Sequence, residues 1–231
     1  MEPFTIELPA DAATPRMARH EVAERLGDVP GVEELLLCVS EVVTNAVIHA
    51  GTPRHLSVRQ DGDRLVVEVA DGDPRPPVRR DPDPTSPTGR GLRLLEDLAM
   101  GWDWRPTDDG KVVWFEFPAA ESSEPGRGDG PSPAIDAGSD LTVLAEREVD
   151  LLSAPVLRDR LEQAIEDGAR TITIDFSSCD FLDSTGLSVL ATTALRLRRV
   201  GGELHVVGEH GAVASVLRLS GVGELLSGGG P

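Results

Sequence analysis

A segment of small and turn-forming residues, 118–140, most constrains what this chain can fold into. Sixteen of its 23 residues are Pro, Gly, Ser or Ala, and Ile135 is its one large apolar residue. Such a composition cannot bury enough apolar surface to offset the conformational entropy that folding removes. The sequence therefore predicts a flexible linker at 118–140 between two domains, 1–117 and 141–231. A chain of 231 residues is long enough for two domains of ordinary size.

Acidic residues dominate the charge, with 40 Asp and Glu against 22 Lys and Arg and a formal net charge of −18. Because phosphate backbones are bound by clustered Lys and Arg, this balance argues against a nucleic-acid partner. No apolar run approaches the roughly 20 residues that span a membrane, and signal-peptide features are absent from the N-terminus. Cys38 and Cys179 lie in separate apolar contexts, which indicates buried free thiols in a reducing compartment. We therefore expect a cytoplasmic protein with protein partners and no membrane segment.

The pattern of residues 1–117 predicts an α/β sandwich, with helices on one face of a mostly antiparallel sheet. Turn signals such as Asp61-Gly62-Asp63 separate the elements, and six prolines mark 72–88 as an exposed loop. The predicted strands are 4–8, 56–60, 65–70, 102–105 and 111–117, and the predicted helices are about 13–26, 32–50 and 92–100.

Residues 141–231 follow a different pattern, in which strands and helices alternate. This alternation predicts βαβ units around a small central sheet. The predicted strands are 141–145, 171–176 and 203–207, and the predicted helices are 154–166, 184–199 and 212–219.

Glu41 and Asn45 stand four residues apart on the long predicted helix, so they share one face of it. Glu41 offers a proton acceptor, and Asn45 offers a neutral oxygen ligand suited to a hard cation. Asp71 ends a predicted strand, where its carboxylate could accept a hydrogen bond from an adenine amino group. Gly89 and Gly91 open a helix, where glycines allow close approach of the backbone to phosphates and the helix N-terminus favours anions.

Each of these signals also has a purely structural interpretation. Glu41 and Asn45 alone are typical of a solvated helix face, and Asp71 followed by glycine is typical of a turn. His49 is more often a packing or hydrogen-bonded residue than a catalyst. Four elements follow one another along the chain: Glu41 with Asn45, then Asp71, the proline-rich loop, and the glycines that open the next helix. Their order and spacing together favour a nucleotide site.

Four motifs together resemble those of the anti-sigma factor serine kinases, which share a superfamily with histidine kinases, gyrase, Hsp90 and MutL. The motifs are Glu41-Val42-Val43-Thr44-Asn45-Ala46 with His49-Ala50, then Asp71-Gly72-Asp73, Gly89-Arg90-Gly91-Leu92 and Lys111-Val112-Val113-Trp114-Phe115. The resemblance covers about residues 4–117. It implies an ATPase domain of the GHKL type, an α/β sandwich that binds Mg²⁺ and ATP under a mobile lid.

The resemblance also implies roles for single residues. Glu41 would be the catalytic base or orient the nucleophile, and Asn45 would hold Mg²⁺. Asp71 would recognise adenine, and Arg16 would dock a partner. The other implied ATP-binding residues are His49, Asp73, Gly89, Arg90, Gly91 and Leu92. Two departures from the family pattern, Val112 in place of a common Thr and Arg93 in place of a common glycine, predict weaker nucleotide affinity.

Phe181-Leu182-Asp183-Ser184-Thr185-Gly186 precedes an apolar helix and has two interpretations. One is a helix cap, because Ser, Thr and Asp favour that position for structural reasons. The other is a phosphoacceptor, Ser184, at a helix N-terminus that tolerates an added phosphate electrostatically. In the second case Asp183 would make a doubly negative patch with the phosphate and repel a docked acidic partner.

Residues 141–226 resemble the anti-sigma factor antagonist (STAS) family. The resemblance rests on Arg147-Glu148-Val149-Asp150-Leu151, Ala154-Pro155 with Leu157, Ile174-Asp175-Phe176-Ser177 and the stretch 181–187. It implies that Ser184 is the phosphorylated serine, that Asp183 helps the kinase to recognise it, and that Thr185 is a secondary site.

Because the two domains lie in one chain, the two resemblances together imply a bacterial transcription regulator of the partner-switching type. It would be an ATP-dependent serine kinase and anti-sigma factor fused to a substrate-like antagonist domain. The implied partners are a sigma factor, a separate antagonist or the chain's own antagonist domain, and a PP2C-type phosphatase, with a homodimer as the assembly. A 23-residue linker has an r.m.s. reach of about 25 Å, which would let the antagonist domain meet the kinase-like domain of its own chain. Phosphorylation in cis is therefore an alternative to phosphorylation in trans. The alternative is a non-catalytic nucleotide-binding or scaffold protein.

Overall fold

The computed structural model describes residues 1–27, 29, 31–77, 90–119 and 141–226. These residues form two compact units, one from residues up to 119 and one from residues 141 onward. Most of the predicted linker, 120–140, lies outside the described residues, as does most of the proline-rich loop. In the part of the chain that is described, no helix is long and apolar enough to cross a membrane.

The first unit is built on a five-stranded antiparallel sheet in the order β1-β2-β3-β5-β4. Helices α1 and α2 contact each other and α3 contacts α2, which confirms the predicted sandwich. The elements are β1 (Phe4–Glu7), α1 (Thr14–Leu26), α2 (Val32–Asn45), β2 (Pro53–Asp61), β3 (Arg64–Asp71), α3 (Arg90–Leu98), β4 (Gly101–Thr107) and β5 (Gly110–Pro118).

The core of this unit lies between the sheet and its helices. Side chains alternate across a strand, so Val67 and Val69 of β3 face the helices together. They meet Val39 and Val43 of α2 and the fully buried Phe115 of β5. The apolar face of α2 thus fixes this helix on the sheet, and the helix carries the predicted residues Glu41 and Asn45 with it.

The long predicted helix changes its winding near its end. The α-helix stops at Asn45, and residues Ala46–Ala50 form a π-helical turn that ends at Gly51 in the left-handed region (φ 64°). The sequence predicted one uninterrupted helix to residue 50, because hydrophobic periodicity does not distinguish one wider turn from an α-helical turn. Such turns are rare and occur frequently at functional sites.

The second unit confirms the predicted βαβ pattern. Its three-stranded sheet has the order β10-β8-β6 with parallel pairing, and β7 and β9 form a separate parallel pair. The elements are β6 (Leu141–Leu144), β7 (Glu148–Val149), α4 (Ala154–Glu166), β8 (Thr171–Asp175), β9 (Phe181–Leu182), α5 (Ser184–Arg199), β10 (Glu203–Val207), α6 (Gly211–Leu219) and α7 (Val222–Leu226). The sequence missed β7 and β9, because two residues show no periodicity. Cys38 and Cys179 are both buried and free, as expected.

Candidate functional site

Glu41 and Gly91, fifty residues apart in sequence, meet in the first unit. Glu41 lies on the buried face of α2 with 2% of its surface exposed. Gly91 is the second residue of α3, and a Cβ at this position would overlap the Glu41 carboxylate. Any larger residue at position 91 would require the Glu41 carboxylate to shift, so glycine suits a start of α3 this close to the acid. The structure brings together the predicted base and the predicted phosphate-binding glycine.

Cys38 lies one helical turn before Glu41. The pKa of its thiol is well above its ordinary value, chiefly because of burial and secondarily because of the charges of Glu41 and Glu34. A thiol held neutral in this way is a poor nucleophile, so Cys38 is a packing group beside the acid.

Arg19, which the sequence analysis did not single out, anchors α1 to the same part of α2. Its buried guanidinium donates a hydrogen bond from Nη1 to Ser40 Oγ at 2.9 Å. Arg16, the residue predicted to dock a partner, lies one turn earlier on α1 and is half-buried.

Asn45 ends α2 and is half-buried. It follows Glu41 by four helical residues, so the two side chains lie on the same face of the helix. His49 lies in the π-helical turn and is exposed. The adjacent Thr44 is buried, and its hydroxyl has no hydrogen-bond partner among the described residues. No sequence pattern singled out Thr44, because a threonine within a helix has no distinguishing feature until its burial is known.

Asp71, the predicted adenine-binding residue, forms a buried ion pair. It is the last residue of β3, is 4% exposed, and pairs in register with Lys111 on β5. Lys111 Nζ lies 2.9 Å from Asp71 Oδ1 and also donates to the Asp73 carbonyl oxygen at 3.1 Å. The Asp73 amide donates to the same Asp71 Oδ1 at 2.8 Å. Lys111 had no role predicted from its sequence context, although it is the only lysine in the chain.

The turn between β4 and β5 lies next to the end of β3, beside this ion pair. Gly110 has φ 154°, and a Cβ there would overlap the Asp71 carbonyl oxygen. Arg54 on β2 donates to the Asp109 carbonyl oxygen at 3.1 Å, which fastens the turn to the sheet. Glycine at position 110 thus lets Lys111 reach Asp71 from the neighbouring strand.

Asp73 pairs with Arg75 through its side chain. Arg75 Nε lies 2.9 Å from Asp73 Oδ1, and Arg75 Nη2 lies 2.9 Å from Oδ2. These side-chain hydrogen bonds, with one from the Arg75 amide, lower the pKa of Asp73 to about 2. The structure therefore places the Asp73 carboxylate against Arg75, and only its backbone carbonyl meets Lys111.

The remaining predicted ATP-binding residues lie next to one another in sequence, at and just before the start of α3. Gly89 lies outside the described residues, and Arg90 opens the helix. Leu92 is buried and belongs to the apolar core of the unit. Arg93, one of the two departures from the family pattern, is exposed, and its Nε lies 3.8 Å from Asp97 Oδ2 one turn later. The other departure, Val112, is buried on β5 beside Lys111.

In the second unit Asp183 caps helix α5. Its side chain is 1% exposed, and Oδ1 accepts the Thr185 amide at 2.9 Å, the Gly186 amide at 3.3 Å and the Thr185 hydroxyl. Ser184 is the first helical residue and is half-buried. The structural interpretation of this turn is confirmed. It is compatible with an acceptor role for Ser184, whereas the hydroxyl of Thr185 is engaged by the cap.

Comparisons with known proteins define the class of each unit. A family model described as histidine kinase-like ATPase domain matches residues 8–117, and one described as Mlab, STAS domain matches residues 136–227. The chain therefore joins a histidine kinase-like ATPase domain to a STAS domain. This domain pair is of the partner-switching type, as the two resemblances implied.

Individual relatives match parts of the chain. An anti-sigma-B factor antagonist of Staphylococcus aureus is 27% identical over 79 residues, which cover 34% of this chain and 73% of that protein. The anti-sigma-B factor antagonist of Bacillus subtilis is 38% identical over 66 residues, which cover 29% of this chain and 60% of that protein.

Two solved structures are also similar to parts of this chain. The RsbU and RsbW domains of a Mycobacterium tuberculosis protein match with a TM-score of 0.39 and 19% identity, over 53% of this chain and 35% of theirs. The phosphorylated form of the Bacillus cell fate determinant SpoIIAA matches with a TM-score of 0.33 and 22% identity, over 41% of this chain and 86% of its own.

Proposed function

We propose that the chain is an ATP-dependent protein serine kinase and anti-sigma factor, fused to an antagonist domain whose Ser184 accepts the phosphoryl group. The observation that carries the proposal is the contact between the buried Glu41 carboxylate and Gly91 at the start of α3. A carboxylate is costly to bury, and a helix start whose glycine packs against it is a specific arrangement. A carboxylate base beside a helix N-terminus suits phosphoryl transfer to a hydroxyl.

The residues of the first unit fit Mg²⁺ and ATP as substrate. Asn45 on the Glu41 face of α2 would hold the cation, whose charge offsets that of the phosphates. The N-terminus of α3 would face the phosphates, which its free amide groups favour. Asp71 keeps one carboxylate oxygen, Oδ2, without a hydrogen bond among the described residues, and this oxygen would accept from the adenine amino group.

In the proposed reaction the Ser184 oxygen bonds to the γ-phosphorus while the bond from that phosphorus to the bridging oxygen of ADP breaks. The serine proton passes to Glu41, which later returns it to solvent. Catalysis of this kind depends mainly on positioning and on charge stabilisation. Glu41 is suited to it, because α2 and the contact with Gly91 restrict the movement of its carboxylate.

The product would alter the surface of the antagonist domain. A phosphate on Ser184 adds about two negative charges at the first turn of α5. The Asp183 carboxylate already accepts the Thr185 and Gly186 amides there, so the new charge meets a like charge. We propose that this repulsion undocks an acidic partner and so releases a sigma factor or a second antagonist. A PP2C-type phosphatase would remove the phosphate from Ser184. We also propose that the protein is a cytoplasmic homodimer in which a linker at 118–140 joins the two domains of each chain.

Intact mass spectrometry of the purified chain after incubation with Mg²⁺ and ATP tests the function. We expect one added phosphate, absent in Ser184→Ala and retained in Thr185→Val, since the Thr185 hydroxyl is engaged by Asp183. Glu41→Gln should abolish the transfer while nucleotide still binds. A phosphate that persists in Ser184→Ala, or a Glu41→Gln variant as fast as the parent chain, would contradict the assignment.

The dependence of the rate on protein concentration distinguishes cis from trans transfer. A single-turnover rate that does not change with concentration indicates that each chain modifies its own Ser184. A rate proportional to concentration indicates transfer between chains. If the intact chain shows no transfer, a separate antagonist protein offered to the same sample tests whether the substrate is supplied by another chain.

One observation favours the second candidate, a non-catalytic nucleotide-binding or scaffold protein. Lys111 already engages one oxygen of Asp71 and so reduces what this residue offers to a ligand. A chain that binds ATP in calorimetry, yet transfers no phosphate to its own Ser184 or to an added antagonist, would favour this candidate.

A further inference from the structure

The buried ion pair between Lys111 and Asp71 is asymmetric. Lys111 donates two hydrogen bonds, one to Asp71 Oδ1 and one to the Asp73 carbonyl oxygen. Asp71 Oδ1 also accepts the Asp73 amide. The hydrogen bonds that hold the Asp71 carboxylate are therefore all made to Oδ1, and none is made to Oδ2 by the described residues.

The other oxygen, Asp71 Oδ2, accepts no hydrogen bond from any described residue. In the described part of the chain the buried polar side-chain atoms without partners are the hydroxyls of Thr44 and Thr173. Oδ2 is not one of them, so it is not completely enclosed by the protein, although the residue as a whole is only 4% exposed. A fixed acceptor at the end of β3 is thus open to a ligand while its charge is balanced by a neighbour.

We propose that Lys111 is a positioning residue that sets nucleobase specificity by holding Asp71 with Oδ2 directed at the base. This inference rests on the proposed function, in which Asp71 accepts from the 6-amino group of adenine. GTP places a carbonyl oxygen at that position, and two acceptors facing each other repel. Purine riboside triphosphate has no group there and would leave Oδ2 unpaired.

A lysine suits this role better than an arginine would. The ammonium is compact and engages a single oxygen, whereas the guanidinium fork binds both oxygens of a carboxylate. Lys111→Arg therefore keeps the charge and the ion pair but covers Oδ2. Lys111→Met removes the hydrogen bond that Lys111 donates to Asp71 Oδ1, so the carboxylate is held less firmly. Arg64→Met is the matched control, because Arg64 pairs with Glu116 at the opposite end of β3.

The test is calorimetric binding of ATP and of purine riboside triphosphate to the full chain and its variants. We expect the parent chain and Arg64→Met to prefer ATP by about tenfold or more, because the analogue leaves a buried acceptor unpaired. Both substitutions at position 111 should reduce this preference to within about twofold of unity while binding through the phosphates persists. Equal weakening of both nucleotides, with the preference intact, would indicate a merely structural role and overturn the inference. Tighter ATP binding in Lys111→Met would overturn it as well, because Lys111 would then block the site.

A measurement on the unaltered chain covers the case in which variants at position 111 do not fold. Lys111 is the only lysine, so protein grown with ¹⁵N-lysine gives a single side-chain nitrogen signal, that of Lys111 Nζ, by NMR. ATP should shift this signal more than purine riboside triphosphate does at saturation. An equal shift with both, or none with ATP, would overturn the inference and leave the nucleotide site intact. A parent chain that binds neither nucleotide would instead overturn the proposed function, and this inference with it.

Discussion

The cap formed by Asp183 can be separated from its proposed part in kinase recognition. In Asp183→Ala the Thr185 and Gly186 amides and the Thr185 hydroxyl all lose their acceptor. Loss of a capping carboxylate costs about 1 kcal/mol, and an unpaired, partly buried hydroxyl adds a similar amount. We therefore expect the second domain to lose about 2 kcal/mol, which lowers the Tm of a domain of this size by roughly 10 °C.

Differential scanning calorimetry of the full chain measures this effect on the transition of the second domain. Asp167→Ala is the matched control, because Asp167 lies at the C-terminal end of α4 in the same domain. A negative charge there is unfavourable with the helix dipole, so its removal should change the Tm little or raise it slightly. Asp183→Asn completes the set, since Asn caps helices about as well as Asp but carries no charge. We expect Asp183→Asn to keep the stability and to slow phosphorylation of Ser184.

Two results would refute this reasoning. A capping role for Asp183 is refuted if the free energy of unfolding of Asp183→Ala lies within about 0.5 kcal/mol of that of the parent chain, the range of ordinary surface substitutions. A role for the Asp183 charge in kinase recognition is refuted if Asp183→Asn is phosphorylated as fast as the parent chain.

Three further predictions follow from the first domain. Gly91→Ala should slow phosphoryl transfer by about a hundredfold in a single-turnover assay, because a small displacement of Glu41 misplaces the base. Transfer at the parent rate would refute the close contact. Phe115→Ala should cost about 3–5 kcal/mol in urea unfolding, because the ring is fully buried. Arg75→Ala should raise the pKa of Asp73 from about 2 toward 3.8 in an NMR titration, because the main cause of the lowered value is removed. Since the folded-state pKa is lowered, the stability linked to Asp73 is present above pH 3.8 and disappears as the pH falls toward 2.

Much of the fold followed from local patterns in the sequence. The turn at Asp61-Gly62-Asp63 predicted the boundary between β2 and β3, which pair as an antiparallel hairpin. The cap at Asp183 was also predictable, because capping depends only on neighbours in the chain.

The site was less predictable where it depends on elements that are distant in sequence. The ion pair between Asp71 and Lys111 exists because β5, and not β4, lies beside β3. No local pattern encodes that order. The contact of Gly91 with Glu41 likewise requires α3 to begin against α2, which the motif order suggested but did not fix.

The strand order β1-β2-β3-β5-β4 has a consequence for synthesis on the ribosome. Strand β4 leaves the ribosome before β5, yet β5 is its neighbour in the sheet, so β4 has no partner until β5 has emerged. The end of β3 also stays uncovered until then. A nascent chain should thus be unable to hold a nucleobase until its last hairpin is complete, and it would leave two strand edges exposed to chaperones during that interval.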